Sequence, residues 1–402
     1  MSAKFAVLGH GVVGSGVVEL FYKNKNSIEN RAGTEMDIKY ILDLRDFPDS
    51  PYKDKFTKNF EDILNDDEVT SVAECMGGVE PAFTFTKALL EKGKSVSTSN
   101  KELVAEKGDI LLKAAKENNC NFFFEASVGG AIPIIRPLHR CLAANDIDKT
   151  AGILNGTTNF ILTKMYNDNM PFDEALKLAQ ELGYAEKDPT ADVEGHDACR
   201  KICIISSLVF GKHVYPKSVY TKGISEIQLC DVSSADILGY AIKLVAEVKR
   251  NENGKILPVV MPMLVPHDNI MSGVNDVFNA VLVYGDGIDQ TMFYGRGAGK
   301  LPTASAVLGD VIEAVKHNVT VFSQSWDSAE DDSFIDSVEN LSARWYFRTP
   351  SDHTPSTGII DTYDVHEDGS EYAFVTDEIL TFAQAKNIAE KVNALAFFPV
   401  LE

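Results

Sequence analysis

Short apolar runs alternate with stretches of helical spacing through the first third of the chain. Phe5-Ala6-Val7-Leu8 is uniformly apolar and runs into glycines, and Val17, Leu20 and Phe21 follow at helical intervals. Residues 38–42 and Ser71-Val72-Ala73-Glu74-Cys75 repeat the short apolar pattern, and Met76-Gly77-Gly78 breaks the second run. Helical spacing returns over 81–92 and 101–117, with strand-like runs at 95–98 and from Phe122 onwards. Regular strand–helix alternation predicts a parallel sheet with helices on both faces. The expected class is α/β, with a Rossmann-type doubly wound domain over 1–128.

The pattern changes after Val128. Glycines and prolines cluster over 128–137, helical segments dominate to about Leu208, and longer strands follow at 257–262 and 279–285. This reads as an α+β domain over 129–320. The glycine-rich Tyr294-Gly295-Arg296-Gly297-Ala298-Gly299 then feeds a small-residue helix over 303–315. That helix, around 300–318, is expected to return to the first domain. The run 323–340 is polar and acidic, as a linker would be. Residues 341–402 hold strand-like runs at 343–347 and 372–375 and a helix at 383–392, a short α+β appendage.

Gly9-His10-Gly11-Val12-Val13-Gly14 matches G-x-G-x-x-G between an apolar strand and a helix, the context in which the motif binds a dinucleotide. Gly9 serves the turn, Gly11 the approach of a pyrophosphate, and Gly14 the close packing of helix on strand. The end of the second strand carries both an acid and a base, Asp43 and Arg45. Asp43 facing the ribose favours NAD, and Arg45 facing it favours NADP. A shift of one residue exchanges them, so the sequence leaves both open.

Ligands of such sheets bind beyond the carboxyl ends of the strands. Met76, Gly77 and Gly78 lie at one end, Ser99 and Lys101 at the next, and Glu125 at the exit into the second domain. A second concentration of charge is Gly-Tyr-Ala-Glu-Lys-Asp-Pro-Thr-Ala-Asp-Val-Glu-Gly-His-Asp-Ala-Cys-Arg-Lys, residues 183–201. Gly183 is expected to end a helix over 173–182 and Gly195 to precede another starting near His196. Asp197 and Lys201 then share one face at i, i+4, a spacing most often found on a solvated surface. Here Ile202-Cys203-Ile204-Ile205 follows at once, so the face is expected to be buried. Buried charges need partners, and Glu186 and Asp192 are the candidates to meet a substrate ammonium.

The net charge of −21 disfavours nucleic acid and anionic membranes as partners. No apolar run approaches a membrane span, and the start of the chain lacks a signal-peptide pattern, so a cytoplasmic location is expected. Six scattered cysteines without a C-x-x-C pair argue against a zinc site or a disulfide frame.

Seven ordered motifs resemble homoserine dehydrogenase. They begin at residues 9, 74, 98, 124, 152, 183 and 293, and include Gly-Ile-Leu-Asn-Gly-Thr-Thr-Asn-Phe-Ile at 152–161. The resemblance covers about residues 4–320. It implies reversible oxidation of L-homoserine to L-aspartate 4-semialdehyde with NADP or NAD. It implies Lys101 and Lys201 as catalytic lysines, and Gly156, Thr157, Tyr184, Glu186, Asp192 and Asp197 around the substrate. Glu125 with the carbonyls of Val128, Gly130 and Ile132 matches a monovalent-cation site, usually sodium. Gly299 would return to the nucleotide. A lysine can take the hydroxyl proton if burial or a nearby positive charge lowers its pKa, and a second can polarise the oxygen. Lys101 is expected in the first role and Lys201 in the second, or the reverse. A homodimer or homotetramer is a family expectation. The tail resembles a short, degenerate ACT domain. Where relatives carry Asp-Arg-Pro-Gly, this chain has Thr349-Pro350-Ser351-Asp352, so the sequence leaves threonine feedback open. The rival reading is a catalytically silent dinucleotide sensor, and a third is a dehydrogenase for another amino-acid semialdehyde.

Overall fold

The computed structural model describes residues 2–317, 320, 326–350, 359–365 and 369–402. Ser351 and Asp352 of the tail turn, and 323–325 of the acidic run, lie outside them. The chain divides into two compact units, Met1–Ala144 with Cys203–Pro216 and Gly295–Glu330, and Asn145–Ile202 with Lys217–Tyr294 and Asp331–Glu402.

The first unit is built on six strands: β1 Ala3–Leu8, β2 Met36–Leu42, β3 Phe56–Thr57, β4 Val69–Glu74, β5 Ser95–Thr98 and β6 Phe122–Phe123. They stand in the order β3-β2-β1-β4-β5-β6, with every neighbouring pair parallel. Strand order reverses between β1 and β4, the crevice where doubly wound sheets take a dinucleotide. Phe5 and Val7 of β1, Val17, Val18 and Phe21 of the helix Val12–Lys23, and Val307, Leu308 and Val311 of the helix Lys300–Lys316 form one buried cluster. The late helix therefore completes a core begun about 300 residues earlier in the chain. Gly16 makes that contact close, since a Cβ there would stand 2.8 Å from the Lys300 carbonyl.

The second unit carries β7 Ile147–Ile153, β8 Tyr220–Thr221, β9 Tyr240–Arg250, β10 Ile256–Pro266, β11 Phe278–Gly285 and β12 Asp289–Arg296 in the order β12-β11-β7-β9-β10-β8. The strand β7 corrects the expectation of helix up to Leu208. It is a central strand buried on both faces over Thr150–Ile153, so the apolar–polar alternation that marks a strand is lost. The tail adds β13 Ser342–Ala343, β14 Trp345–Pro350, β15 Ile359–Asp364, β16 Glu371–Thr376, β17 Leu380–Thr381 and β18 Ala396–Pro399. Four of them form a sheet in the order β15-β16-β14-β18.

The tail is packed into the second unit rather than appended to it. Leu257, Val259, Met261 and Met263, alternate residues of β10, share one core with Trp345, Phe347, Phe374 and Phe382. The acidic run is also partly packed. Trp326 is buried, and Phe334 and Asp336 exchange main-chain hydrogen bonds with Ile256. Apolar side chains set within the polar run explain why it does not behave as bare connector.

Candidate functional site

The expected nucleotide residues are held together in the first unit. Gly9, with φ of 86°, turns the chain out of β1. A Cβ on Gly14 would stand 1.8 Å from the Gly9 carbonyl, so only glycine fits there. Gly11, Val12 and Val13 begin the helix from the crevice side, and Gly11 has open space around it, room for a ligand to approach the backbone. Gly299 caps the returning helix with φ of 132°.

Asp43 and Arg45, the two alternatives at the end of β2, are brought together. Asp43 Oδ2 accepts from the His10 amide at 2.8 Å, and Arg45 donates to both Asp43 oxygens through Nε at 3.0 Å and Nη2 at 2.8 Å. These donors hold the Asp43 carboxyl well below the usual range, with the Arg45 guanidinium the largest cause. His10, the second residue of the glycine motif, packs edge-on against Phe47 and Phe56 at 4.8 and 5.0 Å. A cavity of about 400 Å³ beside this cluster is lined by Asp43, Arg45, Phe47, Phe56, Lys53 and Lys58 among others.

At the far side of the crevice, Met76, Gly77 and Gly78 leave β4, and Ser99 leaves β5. Lys101 is the first residue of the helix Lys101–Glu117, half-buried, and Asn100 caps that helix by accepting from the Leu103 amide at 3.0 Å. The fully buried Glu74 carboxylate ends β4, and burial pushes its pKa up to about 7.

Glu125 is buried, and its carboxylate accepts from the amides of Ile134, Ile135 and Arg136 at 2.6, 2.9 and 2.8 Å. Asp310 on the returning helix accepts from the Glu125 amide at 2.9 Å and from Arg136 Nη2 at 2.7 Å. Gly129 and Gly130, with φ of 70° and 52°, bend the chain through Val128 and Ile132. The Glu125 carboxylate is thus engaged by amides, and what fits a hard cation in this segment is its main-chain oxygens.

The charged stretch 183–201 lies in the second unit. The helix Phe172–Glu181 ends in a Schellman turn, with Gly183 N bonded to Gln180 O and Tyr184 N to Ala179 O. The helix His196–Phe210 then carries Asp197 and Lys201, both over nine-tenths buried. Lys201 Nζ donates to Asp197 Oδ2 at 2.7 Å and to the Leu154 carbonyl at 2.6 Å. Asn155 links the acids: its Nδ2 donates to Asp192 Oδ1 at 2.7 Å and Asp197 Oδ2 at 2.8 Å. The same Asn155 caps the helix Gly156–Asp168 by accepting from the Thr158 amide at 2.8 Å. Thr157 Oγ1 donates to the Tyr184 carbonyl at 2.6 Å, joining this helix to the charged loop.

Sequence reasoning missed Asn155 as a member of the site. Its signal was there, an Asn-Gly-Thr-Thr helix start eight residues after β7 begins, but β7 itself went unread. Glu186 and Tyr184 are exposed, and the Tyr184 ring meets Phe160 edge-on at 5.1 Å. Glu186, Lys187 and Asp188 thus form a solvated rim, while Asp192, Asp197 and Lys201 form a hydrogen-bonded cluster. No group of three or more acid, histidine or cysteine side chains able to hold a metal ion occurs among the described residues. Among those residues, too, no helix is long and apolar enough to cross a membrane.

Comparison with known proteins gives consistent findings. Residues 9–125 match the family model for the homoserine dehydrogenase NAD-binding domain, and 133–312 match the homoserine dehydrogenase model. A homoserine dehydrogenase of Bacillus subtilis is 43% identical over 319 residues, covering 78% of this chain and 73% of that one. One of Lactococcus lactis is 40% identical over 322 residues, covering 79% and 75%. The crystal structure of a homoserine dehydrogenase from Thiobacillus denitrificans superposes with a TM-score of 0.90 at 33% identity, covering 100% and 99% of the two chains. A hyperthermophilic archaeal homoserine dehydrogenase in complex with NADPH gives 0.66 at 27% identity, covering 78% of this chain and 98% of that one.

Proposed function

The chain belongs to the homoserine dehydrogenase family, and we propose that the Lys201–Asp197–Asn155–Asp192 cluster is the substrate end of its active site. As a member of that family it is an NAD(P)-dependent oxidoreductase that interconverts L-homoserine and L-aspartate 4-semialdehyde in amino-acid biosynthesis. The bonded cluster is the observation that carries the assignment of residues, because a buried Lys201–Asp197 pair joined through Asn155 to the half-buried Asp192 concentrates charge where burial is costly, an arrangement that clusters at functional sites.

Oxidation removes a C–H bond, with its electron pair, and an O–H proton, and leaves C=O. The bound nicotinamide supplies the hydride acceptor. Lys101, at the start of its helix beyond β5, takes the hydroxyl proton. Lys201, oriented by Asp197 and Leu154, places a cation at the oxygen where negative charge develops. Asp192 meets the substrate ammonium, with Asn155 fixing its side chain. Exposed Glu186 closes the rim by long-range attraction for that ammonium. Gly156, Thr157 and Tyr184 shape the pocket wall. Gly9, Gly11, Val12, Val13 and Gly14 hold the pyrophosphate, and Met76, Gly77, Gly78 and Ser99 flank the nicotinamide. Both cofactors are accepted: Arg45 already neutralises Asp43, so it can meet a 2′-phosphate while Asp43 meets a hydroxyl. The carbonyls of Val128, Gly130 and Ile132, with Glu125 ordering the turn, would hold a sodium ion. The protein works in the cytoplasm as a homodimer or homotetramer.

The test measures NAD+ and NADP+ reduction with L-homoserine for the wild type, Lys201→Ala and Lys101→Ala, in sodium and in choline buffers. Wild-type turnover with a fall of about 10²–10⁴-fold in each variant supports the assignment. Full activity in Lys201→Ala removes the cluster from the site. An inert wild type that still binds cofactor returns the silent-sensor reading. Equal rates in sodium and choline remove the cation.

A further inference from the structure

We propose that Glu74 is a positioning residue: its carboxylate locks the Met76–Gly78 turn to the Thr98–Lys101 segment and so sets Lys101 against that turn. The inference rests on the reading of Lys101 as the proton-transfer residue.

The lock is a closed ring of hydrogen bonds within the first unit. Glu74 Oε1 accepts from the Met76 amide at 2.6 Å, and Oε2 accepts from Thr98 Oγ1. Thr98 Oγ1 in turn accepts from the Asn100 amide at 2.9 Å. Asn100 Nδ2 donates to the Gly78 carbonyl at 2.6 Å, which returns the ring to the turn after β4. The Ser99 amide adds a direct bond to the Glu74 carbonyl at 3.2 Å. Asn100 immediately precedes Lys101 and caps its helix, so the Lys101 main chain is held at its first residue.

Sheet formation does not require this arrangement. Glu74 is wholly buried at the end of a strand whose other inward positions are small or apolar. A buried carboxylate is costly, and an apolar residue would complete the strand at lower cost. What the carboxylate adds is two acceptors aimed in different directions, one at each of two turns bordering the cofactor crevice. The ring holds the nicotinamide side of the crevice, and its hydrogen bonds do not extend to the glycine loop or to the Asp43–Arg45 end, where the proposed function puts the pyrophosphate and the ribose.

The test compares wild type, Glu74→Gln, Thr98→Val and the double variant, with Lys101→Ala as reference. Glutamine keeps the shape but donates where Thr98 needs an acceptor. Valine removes the hydroxyl and leaves the Met76 bond. The expected result is a fall in kcat of about 10–10²-fold in each single variant, the scale on which small misplacements cost rate. The dissociation constant for NADPH, read by fluorescence titration, should stay within about threefold, and the double variant should lose little beyond either single one. A lowered Tm with unchanged kcat per folded enzyme overturns the inference and leaves a purely structural glutamate. Multiplying losses in the double variant overturn the ring. Wild-type kcat in Lys101→Ala sinks the Lys101 reading and this inference together. An inactive Lys101→Ala beside a fully active Glu74→Gln sinks this inference alone.

Discussion

Single side chains decide the electrostatics. Asn155 stands between Asp192 and Asp197 and donates a hydrogen bond to each through Nδ2. Asn155→Asp keeps a good helix cap but sets a third carboxylate against two others. The expected outcome is a fall of more than about tenfold in kcat/KM for homoserine, with cofactor affinity held, checked by steady-state kinetics and NADPH titration. In the proposed function Arg45 is the residue that meets a 2′-phosphate. Its removal uncovers the Asp43 charge and withdraws the partner of a 2′-phosphate. Arg45→Ala should therefore lower kcat/KM for NADP+ by about tenfold or more relative to NAD+, measured as the ratio of the two.

His213 supplies a pH dependence unrelated to chemistry. Its Nδ1 accepts from Trp326 Nε1 at 2.8 Å and its Nε2 faces the Ala105 carbonyl at 2.9 Å, so it is held neutral. Burial lowers its pKa, although Asp109 opposes this. A histidine with a depressed folded pKa gives its full stability above the unfolded pKa of about 6.5 and loses it as pH falls below that. Protonation would also turn the Nδ1 acceptor into a donor facing another donor. The stability advantage of wild type over His213→Gln should thus shrink between pH 7 and pH 5, read from urea unfolding midpoints. An advantage that grows on acidification would contradict this.

At the level of elements, the glycine loop illustrates how backbone geometry dictates residue type. The short distance from a Gly14 Cβ to the Gly9 carbonyl leaves no relaxation that keeps both the turn and the helix start. Gly14→Ala should abolish NADPH binding in a fluorescence titration and lower the Tm, whereas Gly11→Ala, with open space around it, should fold normally and weaken only the cofactor. Most elements of the first unit were legible from short strand-like runs and helical spacing, but β3 and the helices Lys25–Ala32 and Glu61–Leu64 were not, being short or largely polar. β9 was not. Tyr240–Arg250 carries Lys243 and Glu247 at helical spacing, yet both are buried, Lys243 on the Val274 carbonyl at 2.6 Å and Glu247 on Lys149 at 3.0 Å. Partners distant in sequence satisfy these charges, and a linear pattern contains no trace of them.

For the whole molecule, the tail is the instructive segment. Arg348 and Asp231 form a buried ion pair at 2.8 Å, and Arg348 also reaches Glu371 at 2.7 Å. Val400 bridges Leu264 of β10. Removing 341–402 would expose the β10 core face and take away the Tyr346 and Arg348 partners of Asp231. A chain ending at Asn340 should aggregate or lose cooperative unfolding of the second unit in calorimetry. Retention of wild-type Tm and activity would show that the tail is dispensable.

The sequence by itself determined the doubly wound first unit, the glycine loop, the pairing of Asp197 with Lys201 on one buried helix face, and the family. The family rests on the resemblance of seven ordered motifs; the other three are written in local spacing: strand runs, glycines at fixed intervals, and an i, i+4 pair followed by apolar residues. Only the tertiary structure decided that Asp43 and Arg45 pair rather than compete, that Asn155 joins the two aspartates, that Glu74 ties two turns, and that the tail shares the core of the second sheet. Except for Asp43 with Arg45 and Glu74 with Met76, these contacts join residues more than twenty positions apart. Their partners are chosen by strand order and helix packing, which no stretch of sequence carries alone.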